Sequence, residues 1–190
     1  MLNIKRTKKN KKYNLVYMAK PVYGGWVSFT SHLALKKDYK LYRISNKTES
    51  KERPYGYGVN YRNLSIKDVV KLPNLLITAV DKKFYEYLPF IKGATIVIHD
   101  PTELKEDVLD FIKRNKVITI RKTVQKLLKE KHGIKSKFLY HPLYEFPFDK
   151  TSINKKTRNI SISRVDFDKN THLVVEANNK LAKKNQVEIY

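Results

Sequence analysis

The sequence predicts an α/β protein with a Rossmann-like parallel sheet flanked by helices. Short apolar segments of strand length alternate along the chain with segments whose apolar residues have helical spacing. Such alternation is typical of parallel strands joined by right-handed crossovers. The first of these segments, residues 13–19, is apolar almost throughout, as expected of a strand covered on both faces. With 190 residues, the chain can bury one substantial core.

The elements follow from these patterns in chain order. After the first strand come Gly24 and Gly25 and a helix over residues 26–37, and glycines here allow a sharp turn and the close approach of a substrate. A plain turn from strand to helix explains the same residues equally well, because the longer glycine fingerprint of dinucleotide sites is missing. Further strands are predicted over residues 39–45, 75–80, 95–99, 117–120 and 137–140, and further helices over 65–71, 82–88, 102–113 and 121–132.

The chain is strongly basic and lacks cysteine. Forty Lys and Arg residues stand against 18 Asp and Glu residues, a formal net charge of +22. Such a charge attracts polyanions, so we expect contact with double-stranded DNA; an anionic membrane surface, an anionic glycan and a lysine-rich genome are the alternatives. The absence of cysteine fits a cytoplasmic protein, in the host cytoplasm if viral, and excludes cysteine-ligated zinc. We find neither a bilayer-length apolar run nor a signal-peptide pattern.

A His–Asp pair ends the fourth predicted strand. Because parallel sheets bind ligands at the carboxyl ends of their strands, His99 and Asp100 are candidate catalytic residues. A structural interpretation stays open for both. Asp before Pro101 is common where a helix begins, and a His side chain can hydrogen-bond a backbone carbonyl.

Residues 46–63 form an insertion after the second strand that mixes aromatic, basic and glycine residues. Tyrosine rings can stack on bases and arginine can contact phosphate, and we expect the glycines to keep this loop flexible. The insertion therefore predicts nucleic-acid contacts from Arg53, Tyr55, Tyr57, Tyr61 and Arg62. The alternative is a flexible loop without a ligand.

A second pattern of strand, polar turn and helix begins at residue 159. Its turn carries Arg164 and Lys169, and the start of the following helix offers unpaired N–H groups. Two cations beside a helix N-terminus predict a site for a diphosphate, and thus for a nucleotide. The alternative is that both residues are solvated surface charges.

This second pattern resembles the opening of the C-terminal domain in retaining glycosyltransferases of the GT-B fold. The shared motif is (S/G)-R-x-x-x-x-K before a helix ending in Glu-Ala, although Asn170 stands where the family usually has glycine. The resemblance implies that Arg164 and Lys169 hold the diphosphate of a nucleotide sugar.

The first half of the chain resembles the N-terminal domain of the same family. The strand that runs into His99 and Asp100 is similar to one in phage enzymes that add glucose to hydroxymethylcytosine in DNA, where the pair lies beside the acceptor hydroxyl. Residues 116–142 resemble the segment through which the family's chain leaves its first domain. On that basis His132 and His141 are interpreted as structural.

The resemblance implies a retaining hexosyltransferase that moves a sugar from a nucleotide sugar, such as a UDP-sugar, to a hydroxyl. The preferred acceptor is a hydroxymethylated base in double-stranded DNA, which suits a viral or phage protein. Neither a cofactor nor a metal is required, because the two cations neutralise the phosphates. A transferase acting on polysaccharide or lipid-linked glycan and a non-catalytic DNA-binding protein are the alternatives.

Four segments make up the predicted organisation. They are a basic disordered tail (1–12), the acceptor domain (13–145), a linker (146–158) and the beginning of a second, incomplete Rossmann-like domain that binds the nucleotide sugar (159–190). Because about 30 residues cannot bury a core of their own, we expect a fragment of a longer enzyme that is inactive by itself. A short protein that docks its last strands onto the first domain is the alternative.

Overall fold

The computed structural model describes residues 12–20, 24–145, 160–161 and 170–189. The chain divides into two compact units, Met1–Glu145 and Phe146–Tyr190. The first unit contains an eight-stranded sheet with strand order β3-β4-β2-β1-β5-β6-β7-β8. Its strands are β1 (Asn14–Met18), β2 (Lys40–Ile44), β3 (Arg53–Gly56), β4 (Val59–Leu64), β5 (Leu75–Val80), β6 (Thr95–Ile98), β7 (Lys116–Thr119) and β8 (Ser136–Phe138).

Helices and 3₁₀ segments connect the strands and cover both faces of this sheet. The helices are α1 (Gly25–Lys37), α2 (Ile66–Val69), α3 (Glu106–Lys113) and α4 (Lys122–His132), and the 3₁₀ segments are Lys82–Phe90 and Pro101–Glu103. All paired strands are parallel except β3, which runs antiparallel to β4 at the edge. The predicted α/β class with a mostly parallel, helix-flanked sheet, consistent with a Rossmann-like fold, is confirmed.

Strand β1 lies at the centre of the sheet and is buried on both faces. Leu15 and Tyr17 belong to the core under α1, whereas Val16 and Met18 belong to the core under the other helices. All four are fully buried. This explains the near-continuous apolar sequence of β1, because alternate side chains of a strand point to opposite faces and each face here is covered by helices.

Two glycines at helix ends have conformations that favour glycine. Gly24 precedes α1 with φ of 95°, and Gly133 ends α4 in the left-handed region with φ of 65°. Side chains with a Cβ atom rarely adopt these angles, so both turns restrict the residue type. The turn before α1 is therefore a requirement of the backbone whether or not a ligand binds there.

The insertion over residues 46–63 is not a flexible loop, and that prediction is wrong. Its second part forms the hairpin β3–β4, and β4 extends the sheet in parallel beside β2. Tyr55 and Val59 are 6% and 8% exposed in the core under α1. Burial of these two side chains outweighs the flexibility that the glycines suggested, and a two-residue turn at Tyr57 and Gly58 closes the hairpin.

Three predicted helices are shorter or tighter than expected. The helix over 65–71 is reduced to α2, and the helix over 82–88 is the 3₁₀ segment Lys82–Phe90, which contains Pro89. The helix over 102–113 divides into the 3₁₀ segment Pro101–Glu103 and α3. In the 3₁₀ segment Lys82–Phe90, Pro89 cannot donate a backbone hydrogen bond, which disfavours a regular α-helix.

The second unit, as far as the structure describes it, contains two short parallel strands, a helix and a 3₁₀ segment, Lys183–Asn185. Strand β9 (Ile160–Ser161) pairs with β10 (Glu188–Ile189), and α5 (Thr171–Asn179) lies between them in the sequence. Arg164 and Lys169 lie outside the described residues. Across the described parts of both units, no helix is long and apolar enough to cross a membrane.

Candidate active site

A cleft of about 490 Å³ opens at the carboxyl edge of the first unit's sheet. Its walls come from the start of α1, from the chain after β6, from the chain after β7 and from the segment that follows β8. The lining residues are Gly25, Trp26, His99, Asp100, Ile120, Arg121 and His141. The structure thus brings the predicted glycine turn and the His–Asp pair together, at the edge where parallel sheets bind their ligands.

His99 is buried, with 5% of its surface exposed, and its ring is held in one orientation. Its Nε2 lies 2.7 Å from the carbonyl oxygen of Thr78, so Nε2 carries the proton and donates it. The ring also meets the Phe29 ring edge-on, with 4.8 Å between the centroids. Burial lowers the pKa of His99 to about 4. The imidazole is therefore neutral at physiological pH, and its Nδ1 is an acceptor.

Asp100 has the structural role that the sequence left open, and it also lines the cleft. One carboxylate oxygen, Oδ1, accepts hydrogen bonds of 3.1 Å from the backbone N–H and the hydroxyl of Thr102, which caps the 3₁₀ segment Pro101–Glu103. The other, Oδ2, accepts a 2.9 Å hydrogen bond from Nη1 of Arg121 inside the cleft wall. The hydrogen bonds from Thr102 and the charge of Arg121 lower the pKa of Asp100, so this carboxylate stays ionised.

Glu103 fixes the backbone of the His–Asp pair, and it was not predicted to be a site residue. Its Oε1 accepts the backbone N–H groups of His99 at 3.1 Å and of Asp100 at 3.0 Å. Burial raises the pKa of Glu103 to about 7. The spacing of Asp100 and Glu103 is that of a capping box, so this residue was recognisable from the sequence.

Arg121 and His141 also line the cleft, and neither was assigned to it. Arg121 is 58% exposed and joins the end of β7 to the end of β6 through Asp100. His141, interpreted above as structural, forms part of the cleft wall, and partial burial and His32 lower its pKa. Both residues lie just after predicted strands, so the strand-end rule that identified His99 applies equally to them. His132 lies in the last turn of α4.

A row of aromatic rings runs from the cleft to the tip of the β3–β4 hairpin. The centroid of His141 is 5.3 Å from that of Phe29 and 6.0 Å from that of His32, and His32 is 5.6 Å from Tyr57. Tyr57 is 52% exposed, and its φ of 54° is unusual for an aromatic residue. Its hydroxyl lies 3.0 Å from Oγ of Ser28 in α1, which fixes the hairpin tip beside the first turns of α1.

The other predicted nucleic-acid residues of the hairpin already have protein partners. Tyr55 is buried and packs edge-on against Tyr17 with 5.3 Å between the ring centroids, so base stacking by Tyr55 is excluded in this conformation and that prediction is wrong. The guanidinium of Arg43 covers the Tyr61 ring at 5.3 Å. Arg53 pairs with Glu49 and Arg62 pairs with Glu52. Nucleic-acid contacts by Tyr57, Tyr61 and the two arginines stay predictions.

The described residues contain no cluster of three or more His, Cys, Asp or Glu side chains able to hold a metal ion. The cleft instead offers a neutral imidazole, an ionised carboxylate and a guanidinium within one wall. Comparisons of the chain with protein-family models, curated proteins and solved structures gave no match. The assignment of a function therefore depends on the geometry of the cleft and on the residue patterns of the sequence.

Proposed function

We propose that the chain belongs to a retaining, nucleotide-sugar-dependent glycosyltransferase whose acceptor hydroxyl binds in this cleft. The observation that supports it best is the position of His99 and Asp100 at the end of β6, facing the glycine turn of α1 across one cleft. This is the arrangement that the resemblance to GT-B enzymes implies for the acceptor domain. The donor would be a UDP-sugar or a similar nucleotide sugar held by the second unit.

In the proposed reaction, His99 orients the acceptor hydroxyl and does not act as a general base. A histidine with a pKa of about 4 is a weak base, but its unprotonated Nδ1 accepts a hydrogen bond in a fixed direction because Nε2 is tied to Thr78. A hydroxyl hydrogen-bonded to Nδ1 has its oxygen positioned for reaction. Positioning of this kind lowers the barrier by removing the entropy loss from the chemical step.

Asp100 and Arg121 supply fixed charges to the same reaction. The bond from the sugar's anomeric carbon to the diphosphate oxygen breaks, the bond to the acceptor oxygen forms on the same face, and the acceptor's proton passes to the diphosphate. The ionised Asp100 stabilises positive charge at the anomeric carbon. Arg121 uses one N–H group for Asp100 and keeps further donors for an anionic oxygen.

The preferred acceptor is a hydroxymethylated base in duplex DNA. The net charge of +22 supports a polyanionic substrate. The target base must leave the stack before its hydroxyl can enter the cleft, and aromatic rings such as Trp26 at the cleft wall can stack on an extruded base. Transfer to a polysaccharide or a lipid-linked glycan is the alternative use of the same cleft.

The test is made on the full-length protein and combines donor binding with transfer. Calorimetric titration with nucleoside diphosphates should detect binding, and Arg164→Ala and Lys169→Ala should each weaken it roughly tenfold to a hundredfold, as expected for a charge-assisted phosphate contact worth about 1.5–3 kcal/mol. Mass spectrometry should detect hexose added to duplex DNA with hydroxymethylcytosine but not to unmodified duplex. His99→Ala should lower turnover more than donor affinity.

One control variant and two contradicting outcomes complete this test. Lys92→Ala, which removes an exposed cation of the first unit, is the control and should change neither donor affinity nor turnover. If both second-unit cation variants bind the diphosphate as tightly as the parent, the donor site is wrong. If DNA is bound but no donor or hydroxyl acceptor supports transfer, the non-catalytic DNA-binding alternative is the better one.

A further inference from the structure

A second opening in the first unit, of about 570 Å³, lies between α4 and the edge strand β8 and is lined by basic side chains. We name it the lysine groove, and its lining residues are Lys122, Gln125, Lys126, Lys129, Glu130, Ile134, Lys135 and Ser136. Four of the eight are lysines and one is acidic. Gln125 donates a 2.9 Å hydrogen bond from Nε2 to the backbone carbonyl of Ser136, which fixes α4 against β8 and so fixes the groove.

Most of the positive charge in the lysine groove is not neutralised by neighbouring carboxylates. Lys126 is 4.0 Å from Glu130, at the limit of an ion pair, and the described residues offer no ion pair to the other three lysines. The first turn of α4 carries Lys122 and no acidic residue. A cation at that end is opposed by the helix dipole, so stability of α4 does not explain the charge there.

The spacing of the lysines on α4 suits a phosphodiester chain. Lys122, Lys126 and Lys129 lie on one helical face because they are separated by four and three residues. At 1.5 Å per residue they span about 10 Å, and one strand of duplex DNA carries a phosphate about every 3.4 Å of axis. Three lysines therefore extend along about three phosphates of one strand.

We propose that the lysine groove binds the phosphate backbone of a nucleic acid and leads it to the cleft. The row of lysines begins at Lys122, directly after the cleft residue Arg121, so a strand lying along α4 reaches the site of the proposed reaction. The apolar lining residue, Ile134, is only 5% exposed, and a membrane-binding face would instead present exposed apolar side chains. The inference rests on the DNA acceptor proposed above, but not on sugar transfer.

Duplex DNA binding without a donor tests this inference. In the triple variant Lys122→Gln, Lys126→Gln, Lys129→Gln, the dependence of log affinity on log salt should become shallower by about 2.7, or roughly 0.9 for each lost phosphate contact. Relative to about 1 M salt, where phosphate contacts contribute little, this change in slope is a loss of affinity on the order of several hundredfold at about 0.1 M salt. Glutamine is chosen because its helix propensity is close to that of lysine.

The control triple variant is Lys37→Gln, Lys92→Gln, Lys113→Gln, three exposed lysines outside both the groove and the 46–63 insertion. Both variants have a formal charge of 22 − 3 = +19. The control should keep most of the parent's slope, and the corresponding Lys→Arg groove variant should keep all of it. If the groove triple variant does not fold, Lys126→Gln and Lys129→Gln are measured singly, with a loss of about 0.9 expected for each.

Equal loss in the groove and control variants would overturn the inference, since net charge alone would then explain binding. Loss of binding to phosphatidylserine vesicles with unchanged DNA affinity would overturn it in favour of a membrane surface. A groove variant that loses much more DNA affinity than the control variant supports the inference whether or not any sugar is transferred. If the protein transfers sugar to DNA but the groove variant keeps the parent's full dependence of log affinity on log salt, the proposed function stands. The lysine groove is then not the DNA-binding site.

Discussion

His99 and Glu103 belong to one hydrogen-bonded turn, and burial shifts their pKa values in opposite directions. The pKa of His99 falls from 6.5 to about 4, and that of Glu103 rises from 4.5 to about 7. As pH falls from 6.5 to 4, the unfolded chain protonates His99 before the folded protein does, so the free energy of unfolding decreases. As pH falls from 7 to 4.5, the folded protein protonates Glu103 first, so the free energy of unfolding increases.

These two opposite contributions predict how single variants change the pH dependence of the free energy of unfolding. Glu103→Gln removes the second contribution while its amide oxygen can still accept the N–H groups of His99 and Asp100, so this variant should lose stability more steeply than the parent as pH falls from 6.5 to 4. His99→Gln should lose stability less steeply over the same range. Urea denaturation at a series of pH values measures both. Parallel curves for the parent and both variants would show that neither side chain has the assigned pKa.

The residues of the cleft differ in how far the sequence determines them. His99, Asp100, Arg121 and His141 all follow strands, and a rule applied evenly to every strand end would have identified all four. The tautomer of His99 was not predictable, because its partner, Thr78, is distant in sequence and lies on a neighbouring strand. Which residues surround the cleft is thus largely local information, whereas their protonation is tertiary information.

At the scale of elements, α4 shows how one helix serves two purposes. Val124 and Leu128 are fully buried in the core, while the lysines of the opposite side form the lysine groove. Leu128 is fully buried, and Leu127, its neighbour, is half-buried. This division follows the helical period and was visible in the sequence as an amphipathic pattern.

Two leucines of α4 give a matched stability prediction. Leu128→Ala should lower the free energy of unfolding by about 2–5 kcal/mol, because a fully buried side chain leaves a cavity. Leu127→Ala should lower it by less than half as much, since part of that side chain is already in water. Denaturant titration of both variants checks this. A larger loss for Leu127→Ala would mean that α4 is rotated relative to the sheet.

The β3–β4 hairpin is the element that sequence reasoning assigned incorrectly. Its sequence contains Pro54, two glycines and two asparagines, and those residue types are typical of a loop. Tyr55 and Val59 nevertheless find a core made by α1 and β1, which no local pattern reveals. Gly58 was the available sequence signal, because glycine readily adopts the positive φ that a two-residue hairpin turn requires, whereas Tyr57 is an unusual residue at such a position.

At the scale of the whole molecule, the first unit has the hydrophobic cores expected of an independent domain. Its sheet has a core on each face, and the described residues of both cores belong to that unit. In the second unit, by contrast, the described helix α5 exposes 51% of Leu173 and more than a third of Val174 and Val175. Apolar exposure of this kind on a short segment indicates little burial of its own.

This contrast predicts that residues 1–145 fold by themselves. The truncated chain should give a single cooperative thermal transition by far-ultraviolet circular dichroism, close to the main transition of the 190-residue chain. Residues 146–190 alone should show no cooperative transition, because 45 residues with short strands bury too little surface. A truncated first unit without a cooperative transition would mean that its cores need the remaining residues.

By itself, the sequence determined the fold class, the order of most strands along the chain, the glycine turn before α1 and the presence of a His–Asp pair at a strand end. These features depend on local spacing, because a strand's apolar pattern and a turn's backbone angles are set by neighbouring residues. Only the tertiary structure decided the order of the strands within the sheet, the burial of Tyr55, the ion pair of Arg121 with Asp100 and the walls of the lysine groove. These depend on contacts between residues far apart in the chain, whose energies no local pattern records.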